Sequence, residues 1–361
     1  MRSHFMQYTI GVSYKCSLQF GIQKFLSVRN ALEKLSNFSI RPQRHLCYSG
    51  LMFAKNASNP LGHVIAAASQ VILGKDRQIR LALACLLARG HLLIEDVPGV
   101  GKTTLAHVLA KLLGLDFQRI QFTSDLLPAD IIGGALFDRE NNIFHFHPGP
   151  IFSQLILADE INRASPKTQS ALLEAMEERQ VTAEGETRAL PEPFFVIATQ
   201  NPAHQIGTFP LPESQLDRFL LRIELGYPDA QAERELLKGM ERRDMITELK
   251  PALTTTEFTA LQKQANAVHI SDALLDYVQA IIRTTRESTA YTAGLSPRAG
   301  LALLHAARAW AFIDGRDHVL PEDIQVVLGP VVNHRLRTSR DFPTASNIDI
   351  GTQLIQSVPI P

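Results

Sequence analysis

Residues 94–104 read Ile94-Glu95-Asp96-Val97-Pro98-Gly99-Val100-Gly101-Lys102-Thr103-Thr104, a glycine-bearing loop set between two apolar runs. Residues 91–95 before the loop read as a buried strand, and residues 105–113 after it as an apolar helix. A strand, a glycine loop and a helix in that order make a phosphate cradle. Backbone N–H groups of the loop and the positive end of the helix dipole face the β- and γ-phosphates of a nucleoside triphosphate. Lys102 adds a point charge and the Thr103 hydroxyl can ligate Mg²⁺, which makes Asp96, Val97, Pro98, Gly99, Val100, Gly101, Lys102, Thr103 and Thr104 the candidate contacts. The pattern G-x-x-x-x-G-K-[ST] is met at Gly101, Lys102 and Thr103, but Asp96 stands where its first glycine belongs. Aspartate tolerates unusual backbone angles, so the turn survives there provided that the carboxylate points away from the phosphates.

The chain that surrounds this loop has 361 residues, enough for one large domain or two medium ones, and its 45% hydrophobic and 20% charged content is that of a soluble globular protein. No apolar run approaches the roughly 18 residues of a membrane span. Zero net charge hides an asymmetry: residues 1–55 hold eight Lys or Arg against Glu33 alone, which leaves 28 basic and 35 acidic residues, net −7, on the rest. A mildly acidic body argues against a nucleic-acid footprint, which needs a basic stripe. The basic, acid-poor extension over residues 1–57 has three readings: a targeting segment, a short accessory region, or sequence upstream of a start at Met52, the last being favoured. Cys16, Cys47 and Cys85 are too scattered for a disulfide framework, so a reducing, cytoplasmic location is expected.

Along the chain, residues 61–73 and 76–89 repeat apolar positions at helical spacing ahead of the first strand. Runs rich in β-formers at 117–122, 154–158, 194–199 and 220–225 then alternate with helical stretches, the mark of an α/β fold with a parallel sheet wrapped by helices. From Pro228 the pattern is helical only, at 229–242, 256–267, 271–287, 297–312 and 321–328, so a second, all-helical domain is expected, with Asp229 as the N-cap of its first helix. The tail from Thr338 is polar and weakly patterned and receives no assignment.

Four further segments bear chemistry. Leu155 to Glu160 is an apolar strand ending in two acids, and beside a phosphate loop Asp159 can hold Mg²⁺ through its water shell while Glu160 polarises the attacking water. Asn201, at the end of the next strand, offers an amide to the γ-phosphate or that water, although Asn201-Pro202 alone reads as a turn. Arg218 precedes the last strand, where an arginine faces away from its own nucleotide and reaches a neighbour's; its plain alternative is a surface ion pair with Asp217 or Glu213. Arg298 opens a helix of the second domain, where arginine opposes the helix dipole, and from there it is expected to reach the phosphates. His145 and His147 share a strand face, but two ligands are too few for a metal site, and Asn141-Asn142 reads as the turn of a surface hairpin.

Together these residues resemble the AAA+ ATPases. The segments Thr123 to Asp130, His147 to Phe152, Asp159 to Ala164 and Ala171 to Glu178 resemble the MoxR family of that group, with a match from about residue 58 to about residue 335. The resemblance implies an αβα P-loop nucleotide-binding domain over 58–227 with a hairpin insert near 133–150, a helical lid over 228–335 and a tail over 336–361. It also implies a homo-oligomeric ring, usually hexameric, with ATP at subunit interfaces. By motif, Lys102 and Thr103 are then the Walker A ligands, Asp159 and Glu160 the Walker B pair, Asn201 sensor 1, Arg218 the arginine finger and Arg298 sensor 2. Family members act as chaperone-like motors that mature protein complexes or aid cofactor and metal insertion, often beside a von Willebrand factor A protein. Three other readings share the core: a magnesium-chelatase-like motor subunit, a nucleotide-gated binding module that hardly hydrolyses ATP, and a DNA translocase, which the acidic body disfavours.

Overall fold

The computed structural model describes residues 60–201, 207–239, 242–339 and 349–360. The extension expected over residues 1–57, with its two cysteines and Met52, lies outside the described residues, as does Pro202. Helices α1 (Pro60–Val71) and α2 (Asp76–Leu87) lead into β1 (Leu92–Glu95), and α3 (Lys102–Leu112) and β2 (Phe117–Gln121) follow. A short α4 (Pro128–Ile132) precedes the hairpin β3 (Gly133–Asp138) and β4 (Ile143–Pro148), then come β5 (Leu155–Asp159) and α5 (Pro166–Glu178). A second hairpin, β6 (Gln180–Ala183) and β7 (Glu186–Ala189), precedes β8 (Phe195–Gln200), α6 (Glu213–Leu216) and β9 (Leu221–Ile223).

Five strands form one parallel sheet in the order β2-β5-β8-β1-β9. Its central strands are buried on both faces, which is why Leu155 to Ala158 and Phe195 to Ala198 are continuous apolar runs. Successive side chains still alternate: Leu155, Leu157, Phe195 and Ile197 join the core under α1 to α3, while Ile156, Ala158, Val196 and Ala198 join the core under α5. β1 lies between β8 and β9, and the chain leaves it for the far edge at β2 before working back, so the crevice at the carboxyl end of β1 is the switch point where such sheets bind ligands.

The remaining described elements are helical: α7 (Ala230–Lys238), α8 (Arg242–Glu248), α9 (Thr255–Asn266), α10 (Asp272–Glu287), α11 (Pro297–Ile313), α12 (Pro321–Val332) and α13 (Ile350–Ser357). Asp229 caps α7 as expected, its Oδ1 accepting from the Ala232 amide at 2.7 Å. The single helix expected over 229–242 ends at Lys238, with Gly239 as C-cap, and α12 continues through Pro330 to Val332. The short helices α4, α6 and α8 had no counterpart in the sequence expectations, nor did two further elements. The hairpin β6–β7 turns through Glu184 and Gly185, both at positive φ, the pattern of a two-residue type I′ turn. Helix α13 in the tail crosses α12 at a glycine pair, where a Cβ on Gly351 would lie 2.5 Å from the Gly329 Cα.

Buried His91 ties the entry of β1 to two other elements. Its Nδ1 accepts from the Val196 amide at 2.9 Å, so the proton sits on Nε2, 3.3 Å from the Met176 carbonyl. Burial pushes the imidazole down to about 4; the Met176 carbonyl opposes this and Arg179 adds to it. The unfolded chain therefore takes a proton at His91 below pH 6.5 that the fold refuses until about pH 4, so this stabilising contribution is complete above that window and declines as the pH falls through it. Urea unfolding at pH 7 and pH 5 checks this, with His91→Gln expected to remove about 2 kcal/mol of the loss.

Candidate active site

The loop between β1 and α3 has the shape the pattern demands. Gly99 and Gly101 lie at φ 87° and 95°, and since a Cβ at either would meet nothing, backbone conformation and not space selects glycine there. Gly101 caps α3 without any side-chain acceptor, whereas α5, α7, α9, α10 and α11 are each capped by their own Ser, Thr or Asp. The first N–H groups of α3 are thus open to an anion.

Lys102 is only 8% exposed, and its ammonium donates to the Asp96 carbonyl (2.5 Å), the Val97 carbonyl (3.3 Å) and Asn201 Oδ1 (3.0 Å). Burial pushes its pKa down, while Asp96, Asp159 and Glu160 oppose the shift. The Asp96 carboxylate does turn away from the loop interior: Oδ1 accepts from the Val97 amide (2.7 Å) and Oδ2 from the amides of Leu225 (2.7 Å) and Gly226 (2.6 Å), at the start of the helical domain.

Asp159 and Glu160 end the fully buried β5, and their four oxygens point to different partners. Asp159 Oδ1 accepts from the Thr199 hydroxyl (2.6 Å), and that hydroxyl in turn accepts from the Glu160 amide (2.9 Å). Oδ2 accepts twice from Arg119 (2.6 and 3.1 Å) and lies 3.5 Å from the Thr103 hydroxyl. Two hard oxygen donors facing each other across that gap fit a Mg²⁺ ion held with water and phosphate. Glu160 sits at φ 58°, ψ 48°, a left-handed conformation that a non-glycine residue adopts at a cost and that turns its side chain out of the strand direction. Its Oε1 accepts from Asn201 Nδ2 (3.0 Å), and its Oε2 from Gln121 (3.2 Å) and Arg163 (2.9 Å). Asn201, 4% exposed, thus bridges Lys102 and Glu160 with one amide, and only one orientation of that amide serves both.

Lys102, Thr103, Asp159, Glu160 and Asn201 therefore meet at one point. Arg119, Gln121, Arg163 and Thr199 were not anticipated. Arg119 and Gln121 alternate along β2, and the register that pairs Gln121 with Asp159 carries both toward the acids. Polar residues two apart within the run Phe117 to Phe122 were the available signal.

The two remaining arginines lie elsewhere. Arg218 donates to the Leu173 carbonyl on α5 (2.5 Å), while Asp217 and Glu213 pair with Arg335 and Arg337 instead. Arg298 departs from expectation. It pairs with Glu177 (2.5 Å) near the last residue of α5, a helix about 20 Å long that runs from the phosphate end of the sheet to the opposite end. The cause is where the helical domain docks: Arg335 binds Asp217 and the carbonyls of Phe219 and Leu220 just before β9, and the amides of Ala252 and Leu253 bind the Leu112 carbonyl at the foot of α3. Within its own subunit, Arg298 does not join the phosphate-loop contacts.

Residues 91–221 match the ATPase family associated with various cellular activities (AAA), and residues 283–354 match the AAA lid domain. Over 276 residues the chain is 47% identical to the uncharacterized protein YeaC of Bacillus subtilis, a match covering 76% of this chain and 86% of that one. Over 292 residues it is 41% identical to Chaperone MoxR1 of Mycobacterium tuberculosis, covering 78% and 76%. The crystal structure of a candidate ATPase from Cytophaga hutchinsonii superposes with a TM-score of 0.77 at 35% identity, over 93% of this chain and 99% of that chain. An AAA nucleotide-binding domain, a helical lid and a relative of this identity identify an ATP hydrolase: the chain belongs to the MoxR family of AAA+ ATPases.

Proposed function

We propose that this ATPase works as a homo-oligomeric ring, with hexamer the expected size, whose ATP sites are completed between neighbours and whose turnover remodels or matures a partner protein complex. The observation that carries the reading is the convergence of Lys102, Thr103, Asp159, Glu160 and Asn201 at the mouth of the phosphate loop. Lys102 and the uncapped start of α3 would hold the β- and γ-phosphates, and Thr103 and Asp159 would hold Mg²⁺. When bound there, that ion would supply charge neutralisation on the transferring phosphoryl group. Glu160 accepts a proton from the in-line water as the water oxygen bonds to the γ-phosphorus and the bond to the ADP oxygen breaks, while Asn201 fixes that carboxylate and reads the γ-phosphate.

Arg218 and Arg298 contact positions one turn apart on α5 and stand together on a surface turned from their own loop. In the ring they serve the neighbour's phosphates, where they neutralise charge that develops during transfer. The hairpin β3–β4 exposes Leu136, Phe137, Ile143 and Phe144 on its strands just behind a polar turn, apolar surface suited to gripping another protein. Among the described residues no helix is long and apolar enough to cross a membrane. The name of the relative Chaperone MoxR1 supports a protein client, and the family's association with von Willebrand factor A proteins and with cofactor or metal insertion directs the search for one.

The test is ATP turnover per subunit over a range of protein concentrations, with Glu160→Gln as the blank. Turnover that rises with concentration and falls to the blank on chelation of Mg²⁺ is the expected result. Activity at the blank's level throughout would leave the nucleotide-gated binding module as the better reading.

A further inference from the structure

The geometry points to Asp96 as a coupling residue: we propose that it transmits occupancy of the phosphate loop to the lid, through the linker at residues 225–229. The inference rests on the phosphate loop being the ATP site, and it explains why an acid replaces the glycine of the pattern. One residue holds both ends of the connection. Its carbonyl accepts from the Lys102 ammonium, and its carboxylate accepts from the Leu225 and Gly226 amides. Oδ1 on the Val97 amide fixes the carboxylate to the loop, so the linker cannot shift without either dragging the loop or losing two charge-assisted hydrogen bonds.

The linker is held from the other side as well. Lys75 Nζ donates to the Tyr227 carbonyl at 2.7 Å, Gly226 takes φ 65°, and Asp229 then starts α7. Three consecutive linker residues therefore have backbone groups bound by core side chains. In a linker of free loop character these groups would face water.

The coupling needs an element with two discrete arrangements, and Lys102 supplies it. Its three protons are spent on the Asp96 carbonyl, the Val97 carbonyl and Asn201. A phosphate group bound in the cradle must take at least one of them, and two of the three contacts lie on the backbone of Asp96 and Val97. Releasing those carbonyls lets the Asp96–Val97 peptide reorient, and the carboxylate carries that movement to Leu225 and Gly226. A glycine at position 96 preserves the cradle and severs this path.

Hydrogen exchange on the full chain, read by mass spectrometry over residues 224–239 with and without Mg²⁺ and a slowly hydrolysed ATP analogue, tests the inference alongside nucleotide affinity and kcat. For Asp96→Gly the nucleotide dissociation constant is expected to stay within about threefold of the parent, while the nucleotide-dependent change in exchange over 224–239 disappears and kcat falls about tenfold or more. A residue that merely braced the linker would raise exchange equally with and without nucleotide and leave the nucleotide-dependent difference intact, which would overturn the coupling role. Loss of nucleotide binding in Asp96→Gly would overturn it too, by assigning Asp96 to the cradle itself. Should Asp96→Gly not fold, Asp96→Asn, which keeps one acceptor oxygen, decides by the same comparison with a partial loss expected. Absence of nucleotide binding in the parent would refute the ATP site rather than the coupling alone.

Discussion

Replacing Glu160 by glutamine lowers kcat by about 10²- to 10³-fold and leaves ATP bound. The side chain is held by Asn201 on one oxygen and by Gln121 and Arg163 on the other, so its position is set by three donors from three elements. Glutamine keeps the length and one acceptor oxygen, and the phosphate-binding groups Lys102 and Thr103 are untouched. What disappears is the negative charge that takes the proton from water. The left-handed backbone at φ 58° is available to glutamine at a similar cost, so the fold is expected to survive. Steady-state turnover beside binding of a fluorescent ATP analogue checks this. Turnover within about threefold of the parent would move the base elsewhere.

Arg218→Ala is expected to cost about 10³-fold in kcat on the proposed ring. Among the described residues of its own subunit the Arg218 side chain makes one hydrogen bond, to the Leu173 carbonyl, so truncation costs about 1–2 kcal/mol of stability and nothing at its own phosphate loop. The large kinetic effect and small thermal effect separate a residue that acts across an interface from one that braces α5. A melting curve, a measurement of nucleotide affinity and a turnover rate on the same preparation distinguish the two. A kcat within about threefold of the parent would remove Arg218 from the reaction.

The phosphate loop was legible in the sequence because its chemistry is local: Gly101, Lys102 and Thr103 are neighbours, and the strand before them and the helix after them are apolar at the right periods. β5 was legible for the same reason, since a strand buried on both faces and ending in Asp159-Glu160 reads as both element and site. Arg119 and Gln121 were not, because they reach the acids through the pairing of β2 with β5, and pairing is a property of the sheet, not of the strand. Arg298 shows the limit most plainly. Its position at the head of α11 was correct, but which end of the sheet it faces depends on Arg335 finding Asp217 and His334 finding the Phe219 carbonyl, residues more than 100 positions apart in the chain. Helix α13 was hidden because its apolar stripe is short, Ile350, Leu354 and Ile355 within eight residues, and because its crossing with α12 depends on a glycine pair distant in sequence. Asp96 was flagged as a departure from the pattern, and only the fold shows what its carboxylate holds.

The most direct test of a site shared between subunits mixes two inactive proteins. Glu160→Gln and Arg218→Ala are purified separately, combined as dissociated subunits and allowed to assemble, and ATP turnover is measured against each variant alone. In a randomly mixed ring about one interface in four joins an intact Glu160 to an intact Arg218, so recovery of up to about one quarter of the parent rate is predicted. A mixture no more active than the sum of its two components would mean that each subunit completes its own site, and would contradict the account.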